Sequence, residues 1–251
     1  MENSIPDKFF INQLHQSDGI AADSEAWIFD GKRVASSCIH ESCNLFCCDK
    51  FFDYGTSPIT MDIELPLREL GAVDATALRE AIFSQEDAAW YEDESRQKTY
   101  YMHDQTRSIV LLALDDTKWP DRHVSQKPGW ERLANVAVPI MEEIIKKHYE
   151  TGGDVIRAVV ASLKAGANIK AHTDGHESFH VAHRIHVPIS TNPKVWFTIG
   201  GRPYQFKLGE AYEINNQKQH SVVNKGDEDR LTFIFDYIPP GPLDHEPDKY
   251  N

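Results

Sequence analysis

From Arg157 to Ile238 the chain is a succession of short segments rich in β-branched and aromatic residues, punctuated by Gly, Asn and Pro about every ten residues. No other feature restricts the fold as strongly. The segments with strand character are 158–163, 183–189, 195–199, 210–214, 221–223 and 231–238. Turn signals fall between or after them at Ala165-Gly166-Ala167, Gly200-Gly201, Asn215-Asn216, Lys225-Gly226 and Pro239-Pro240-Gly241. Many short strands with no helices between them predict an antiparallel sandwich or barrel, of which the jelly roll is one form. The apolar run Ile109–Leu114 predicts a further strand that joins this sheet from the preceding half.

That preceding half is helical in character. Asp74 is placed to cap a helix running to Phe83. A stronger helix is predicted from Glu131 to Tyr149, where Leu133, Val136, Ile140 and Ile144 recur at helical spacing. Pro139 is expected to kink it or split off its first turns, and Gly152-Gly153 to end it. Residues 1–55 hold no sustained period and read as an N-terminal extension packed on the core. Residues 56–241 then form the main domain with its buttressing helices, and 242–251 a C-terminal tail. All four cysteines lie between Cys38 and Cys48, with His40 among them. Their spacing lacks the paired Cys-x-x-Cys of familiar zinc modules, so free thiols are the expected state, with a local metal site or redox pair as the alternative.

Charge narrows the partners. Thirty-nine acidic against 26 basic side chains give a formal charge of −13, which repels phosphate backbones and anionic bilayers at long range. No nucleic-acid or membrane role is therefore expected. The longest apolar run falls far short of the roughly 20 residues that a spanning helix needs. Residues 1–8 lack the basic and apolar regions of a signal peptide, and a cytoplasmic setting is the expectation.

Five of the twelve histidines fall between positions 172 and 186. His172, His176 and His180 are spaced i, i+4, i+8 and would line one face of a helix as a zinc site, but Gly175 and the flanking strand patterns oppose a helix there. The alternative is His172-x-Asp174 at the end of a β-segment, joined by the distal His220. Two imidazoles and one carboxylate occupy one face of an octahedral iron(II) and leave three positions open for a co-substrate and dioxygen. Ten residues after His220, Arg230 leads Leu-Thr-Phe-Ile-Phe-Asp236, and a period of two puts Arg230, Thr232 and Ile234 on one face. A guanidinium inside an apolar barrel is costly unless a carboxylate meets it, and a dicarboxylate such as 2-oxoglutarate supplies one. Arg184 and His186 share a face of their own strand and add positive charge. His176, His180 and His183 are expected to be surface or loop groups.

Ala171-His-Thr-Asp-Gly, His183-Arg-Ile-His-Val-Pro-Ile, Gly209-Glu-Ala-Tyr-Glu-Ile-Asn-Asn and His220-Ser-Val-Val-Asn, followed by Arg230, carry a family resemblance. The span from about Ala158 to Pro240 resembles the aspartyl/asparaginyl β-hydroxylase-like family of Fe(II)- and 2-oxoglutarate-dependent dioxygenases, which includes bacterial proline hydroxylases. The resemblance implies a mainly β fold with flanking helices, a double-stranded β-helix of the jelly-roll, cupin-like kind. It implies His172, Asp174 and His220 as iron ligands, Arg230 for the distal carboxylate of 2-oxoglutarate, and Arg184 with His186 near its metal-binding end. The implied reaction hydroxylates an unactivated C–H bond of an amino acid, amino-acid derivative or Asp/Asn-containing peptide, consuming dioxygen and releasing succinate and CO2. Some members that act on aspartyl and asparaginyl residues of proteins have no carboxylate at the position of Asp174. Its presence here tilts the substrate towards a small amino acid or derivative. Arg107, Arg122 and His103 are candidate partners for a substrate carboxylate.

Two other readings use the same residues: a cupin-like metalloenzyme or zinc hydrolase without 2-oxoglutarate, and a non-catalytic jelly-roll binding module. An inward Arg230 is not needed by the first, and an intact His172, Asp174, His220 set argues against the second. Arg184 has its own alternative, an ion pair with an ordinary acidic neighbour.

Overall fold

Alternation along the strands sorts the described residues from Leu67 onward into two antiparallel sheets that share one interior. The computed structural model describes residues 63–93 and 105–241, together with the backbone of two paired strands, Trp27–Phe29 (β1) and Lys32–Val34 (β2). Met1–Gly55 and Thr56–Asn251 are separate units, and this hairpin is what is described of the first. The expectations for the rest of 1–55, including Cys38–Cys48 and His40, and for 242–251 lie outside the described residues.

The second unit begins with Leu67–Ala72 (β3), the helix Thr76–Phe83 (α1), Thr106–Leu114 (β4) and Val124–Gln126 (β5). The long helix Pro128–His148 (α2) follows. Then come Asp154–Leu163 (β6), Asn168–His172 (β7), a single helical turn Ser178–Val181 (α3), His183–Ser190 (β8), Val195–Ile199 (β9) and Arg202–Tyr204 (β10). Glu210–Ile214 (β11), His220–Asn224 (β12) and Arg230–Ile238 (β13) complete the order. The large sheet runs β3-β11-β8-β13-β6-β4-β5 and the small one β10-β9-β12-β7. From β6 to β13 the chain thus switches sheet at every step but one, the β9–β10 hairpin, which gives the strand order of a double-stranded β-helix. The fold is a mainly β jelly roll with flanking helices.

The middle strand of the large sheet, β13, has all nine residues buried. Odd positions such as Phe233 and Phe235 are fully inaccessible. Even positions, Arg230, Thr232, Ile234 and Asp236, occupy the opposite face, as period two predicts. Between the sheets, Phe197, Phe206 and Tyr212 form a continuous stack, with centroids 4.0 and 4.3 Å apart and planes nearly parallel. Gly200 and Gly201, both at positive φ, make the two-residue turn that joins β9 to β10.

Three local expectations change. Helix α2 begins three residues earlier than the pattern places it and continues through Pro139 unbroken. Pro139 is exposed, so the carbonyl that loses its partner lies on the solvent side, where water can bond it. The helix ends at His148, ahead of the glycines. Gly153 instead serves a close approach, since a Cβ there would stand 2.0 Å from the Ile238 carbonyl oxygen. Finally, Ala75 is the N-cap of α1, while the Asp74 carboxylate accepts from the Thr76 N–H at 3.0 Å.

Among the described residues no helix is long and apolar enough to cross a membrane. Phe206 occupies the centre of the aromatic stack and is 5% exposed, whereas Leu208 is 50% exposed. Phe206→Ala should lower the unfolding free energy in urea by about 3–5 kcal/mol. Leu208→Ala should change it by no more than about 0.5 kcal/mol. Equal effects would contradict this placement of the core.

Candidate metal centre

The end of β7 and the start of β12 lie side by side, and that pairing creates the site. His172 closes β7 and is the direct cross-strand partner of His220, which opens β12. Their ring centroids are 4.3 Å apart. Asp174 follows in the turn after β7, where its backbone N–H donates to the Asn216 carbonyl at 3.2 Å. The ligand-capable atoms of His172, Asp174 and His220 all lie within 4.8 Å of one another, a spread that one ion can gather by small side-chain rotations. Helical alignment of His172, His176 and His180 does not occur: His172 is in a strand, Gly175 is irregular, and only His180 lies in the short α3.

Each imidazole is oriented through its other nitrogen. His172 Nδ1 meets the Lys170 carbonyl at 2.7 Å, and His220 Nδ1 meets the Lys218 carbonyl at 3.0 Å. A carbonyl only accepts, so both Nδ1 atoms carry protons, and in a neutral ring Nε2 is then the nitrogen that can ligate a metal. Burial pushes the His220 pKa below its ordinary value, against the opposing pull of Asp174, and so favours the neutral, ligating ring. One carboxylate oxygen of Asp174, Oδ1, lies 3.8 Å from His172 Nε2. Two imidazoles presenting Nε2, plus one carboxylate, form a donor set that fits a divalent transition metal with open positions, iron(II) included.

The cavity holding this set is walled by apolar groups such as Ile169, Ile214 and Ile234, and it also receives Arg230, Arg184 and His186. Arg230 is 3% exposed, with its guanidinium 4.6 Å above the Phe197 ring. His186, 5% exposed, packs edge-on against Phe197 and Phe206. The aromatic stack is therefore the platform for both side chains. Arg184 lines this cavity and is anchored by two carboxylates. Its Nε and Nη2 donate to the two oxygens of Asp236, each at 2.8 Å, and its Nη1 donates to Asp174 Oδ2 at 2.7 Å.

Other histidines and arginines find local partners. His183 is buried rather than superficial: its Nδ1 donates to Glu213 at 2.5 Å and its ring packs 4.3 Å from that of Tyr149. His176 is half-buried against Ser178, and His180 pairs with Gln217 at the surface. Arg107 bonds Asp87 and Asp229 over the Trp90 ring, and Arg122 pairs with Asp154. His103 lies outside the described residues. Sequence reasoning did not single out Asp236 as an inward acid, although its even position in β13 is the signal that points to it. Phe197 packs within the sheets and also walls the cavity.

Comparison with known proteins follows the same lines. The profile of the Aspartyl/Asparaginyl beta-hydroxylase family matches residues 76–240. No curated protein matches the chain. Among solved structures, the chain is similar to a 2OG-Fe(II) oxygenase-family oxidoreductase from Burkholderia pseudomallei at 8% identity and a TM-score of 0.40, over 66% of this chain and 90% of that one. A Pseudomonas putida prolyl-4-hydroxylase is similar at 9% identity and 0.41, over 70% and 94%. The non-heme monooxygenase ThoJ in its nickel complex is similar at 14% and 0.43, over 71% and 76%. Strand order, not these distant likenesses, defines the fold, and the family profile covers about two thirds of the 251 residues. The chain belongs to the aspartyl/asparaginyl β-hydroxylase family, and is a non-haem iron dioxygenase.

Proposed function

We propose that the protein hydroxylates an unactivated C–H bond of an amino acid, an amino-acid derivative or an Asp/Asn-containing peptide, with His172, Asp174 and His220 holding Fe(II). 2-Oxoglutarate is the co-substrate, and succinate and CO2 are the co-products. The observation that carries this reading is the convergence of His172, Asp174 and His220 in one cavity that Arg230 also enters. When bound, iron with 2-oxoglutarate and dioxygen supplies the oxidising power that an unactivated C–H bond requires.

The chain's own residues do the positioning. His172 and His220 offer Nε2 because their Nδ1 protons are committed to backbone carbonyls. Asp174 offers one oxygen while Arg184 holds the other. Arg230, stacked on Phe197 and almost wholly buried, is a fixed cation in an apolar wall. A carboxylate of the co-substrate meets it through charge-assisted, bidentate hydrogen bonds. Ile169, Ile214 and Ile234 limit water around the reacting centre. The carboxylate at position 174 supports a free amino acid or small derivative over a protein side chain as the substrate.

Turnover of 2-oxoglutarate across free amino acids, Asp/Asn peptides and acyl compounds should yield succinate that rises with one substrate class. His172→Ala should abolish it, and unchanged succinate release from that variant would remove His172 from the metal site. Loss of charge-assisted hydrogen bonds worth about 1.5–3 kcal/mol sets the scale for Arg230→Ala: an apparent KM for 2-oxoglutarate raised about 10- to 100-fold. An unaltered KM in initial-rate kinetics would exclude Arg230 from co-substrate binding.

A further inference from the structure

Asp236 is a fully buried carboxylate in the middle strand of the large sheet, and an arginine stands beside it on either side. In the strand register, Asp236 is paired directly with Arg184 of β8 and with Arg157 of β6. Arg184 closes a bidentate fork on it, and Arg157 Nη1 approaches to 3.6 Å. Arg157 reaches onward to Asp116 and to Ser178 Oγ. Both guanidiniums lie over the Phe179 ring, at 4.5 and 4.4 Å. Charges therefore alternate in an unbroken chain from Asp174 through Arg184, Asp236 and Arg157 to Asp116.

We infer that Arg184, clamped by Asp236, is a positioning residue for Asp174 rather than a group that binds the co-substrate. Two of its three donor atoms are spent on Asp236, which fixes the plane of the guanidinium. The third then addresses Asp174 Oδ2 from a set direction, leaving Oδ1 turned towards His172. The carboxylate is held ready to bind metal through one oxygen before any ion arrives. An arginine is required for this: its planar fork bonds two carboxylates at once, whereas a lysine ammonium is a point charge on a flexible stem. Asp236 in turn acts on the metal site only through Arg184.

The inference rests on the metal reading of His172, Asp174 and His220, and one titration separates the two. Full-length apoprotein is titrated with Co(II), read by its visible absorption, first without and then with 2-oxoglutarate. Wild type should bind Co(II); Arg184→Lys and Asp236→Asn should each weaken it about 10- to 100-fold, the range for groups that orient metal ligands. The double variant should lose little more than either single one, because both act through the same link. Affinity of the Co(II)-saturated variants for 2-oxoglutarate should be unchanged. If Arg184→Lys binds Co(II) like wild type but loses 2-oxoglutarate, the inference is overturned and the metal reading stands. If wild type takes up no Co(II), the metal reading falls and the inference with it. Should a variant not fold, nitrogen-labelled arginine NMR of the wild type decides: the Arg184 Nε–H signal should move on adding Zn(II) and stay still on adding 2-oxoglutarate. The reverse response overturns the inference.

Discussion

Pairing of His220 with His172 across the small sheet is the constraint on which the site depends. Side chains alternate along a strand, so a slip of one residue in this register would send one imidazole out of the cavity. Two features pin the register. On its other edge β12 pairs with β9, five consecutive residues long, from His220 opposite Ile199 to Asn224 opposite Val195. On the inner face, Phe197, Phe206 and Tyr212 tie the small sheet to β11 of the large one. Turning the stack out into water would forfeit several kilocalories per mole of apolar burial. The geometry of the three ligand-capable residues is thus a consequence of how the two sheets close.

Charges within such an interior persist only where they are met. A lone buried carboxylate or guanidinium carries a desolvation penalty of several kilocalories per mole, and the fold answers by placing opposite charges on adjacent strands. Glu213, 1% exposed, is met by Arg68 of β3, His183 of β8 and the Tyr149 hydroxyl after α2. Asp236 is met from both flanking strands. The first group fastens the outer face of the large sheet; the second reaches the cavity through Asp174. Arg230 rests on the face of Phe197 in the wall of that cavity.

Much of this was legible in the sequence because strand alternation and turn chemistry are local. The Gly200-Gly201 turn, the inward face of Arg230, Thr232 and Ile234, and the core segments of β6, β8, β9, β11 and β13 all follow from spacing within a few residues. The edge strand β3 was not legible. Leu67–Ala72 carries Arg68 and Glu69 and shows no apolar alternation, since charged side chains suit an exposed edge. Pairings were hidden for a different reason. Glu213 lies thirty positions from His183 and Asp236 fifty-two from Arg184, and nothing local in the sequence records which strands become neighbours. The acidic neighbour of Arg184 becomes visible only in the register of β8 against β13. Pro139 shows the converse: a local rule against proline in helices yields where the freed carbonyl faces water.

Anomalous diffraction at the iron edge from anaerobic crystals loaded with Fe(II) bears most directly on the whole account. A single strong peak bounded by Nε2 of His172, Nε2 of His220 and a carboxylate oxygen of Asp174 is the expected result. Iron bound elsewhere in the chain, among the thiols of Cys38–Cys48 for instance, or held with one of these three side chains turned away, would contradict it.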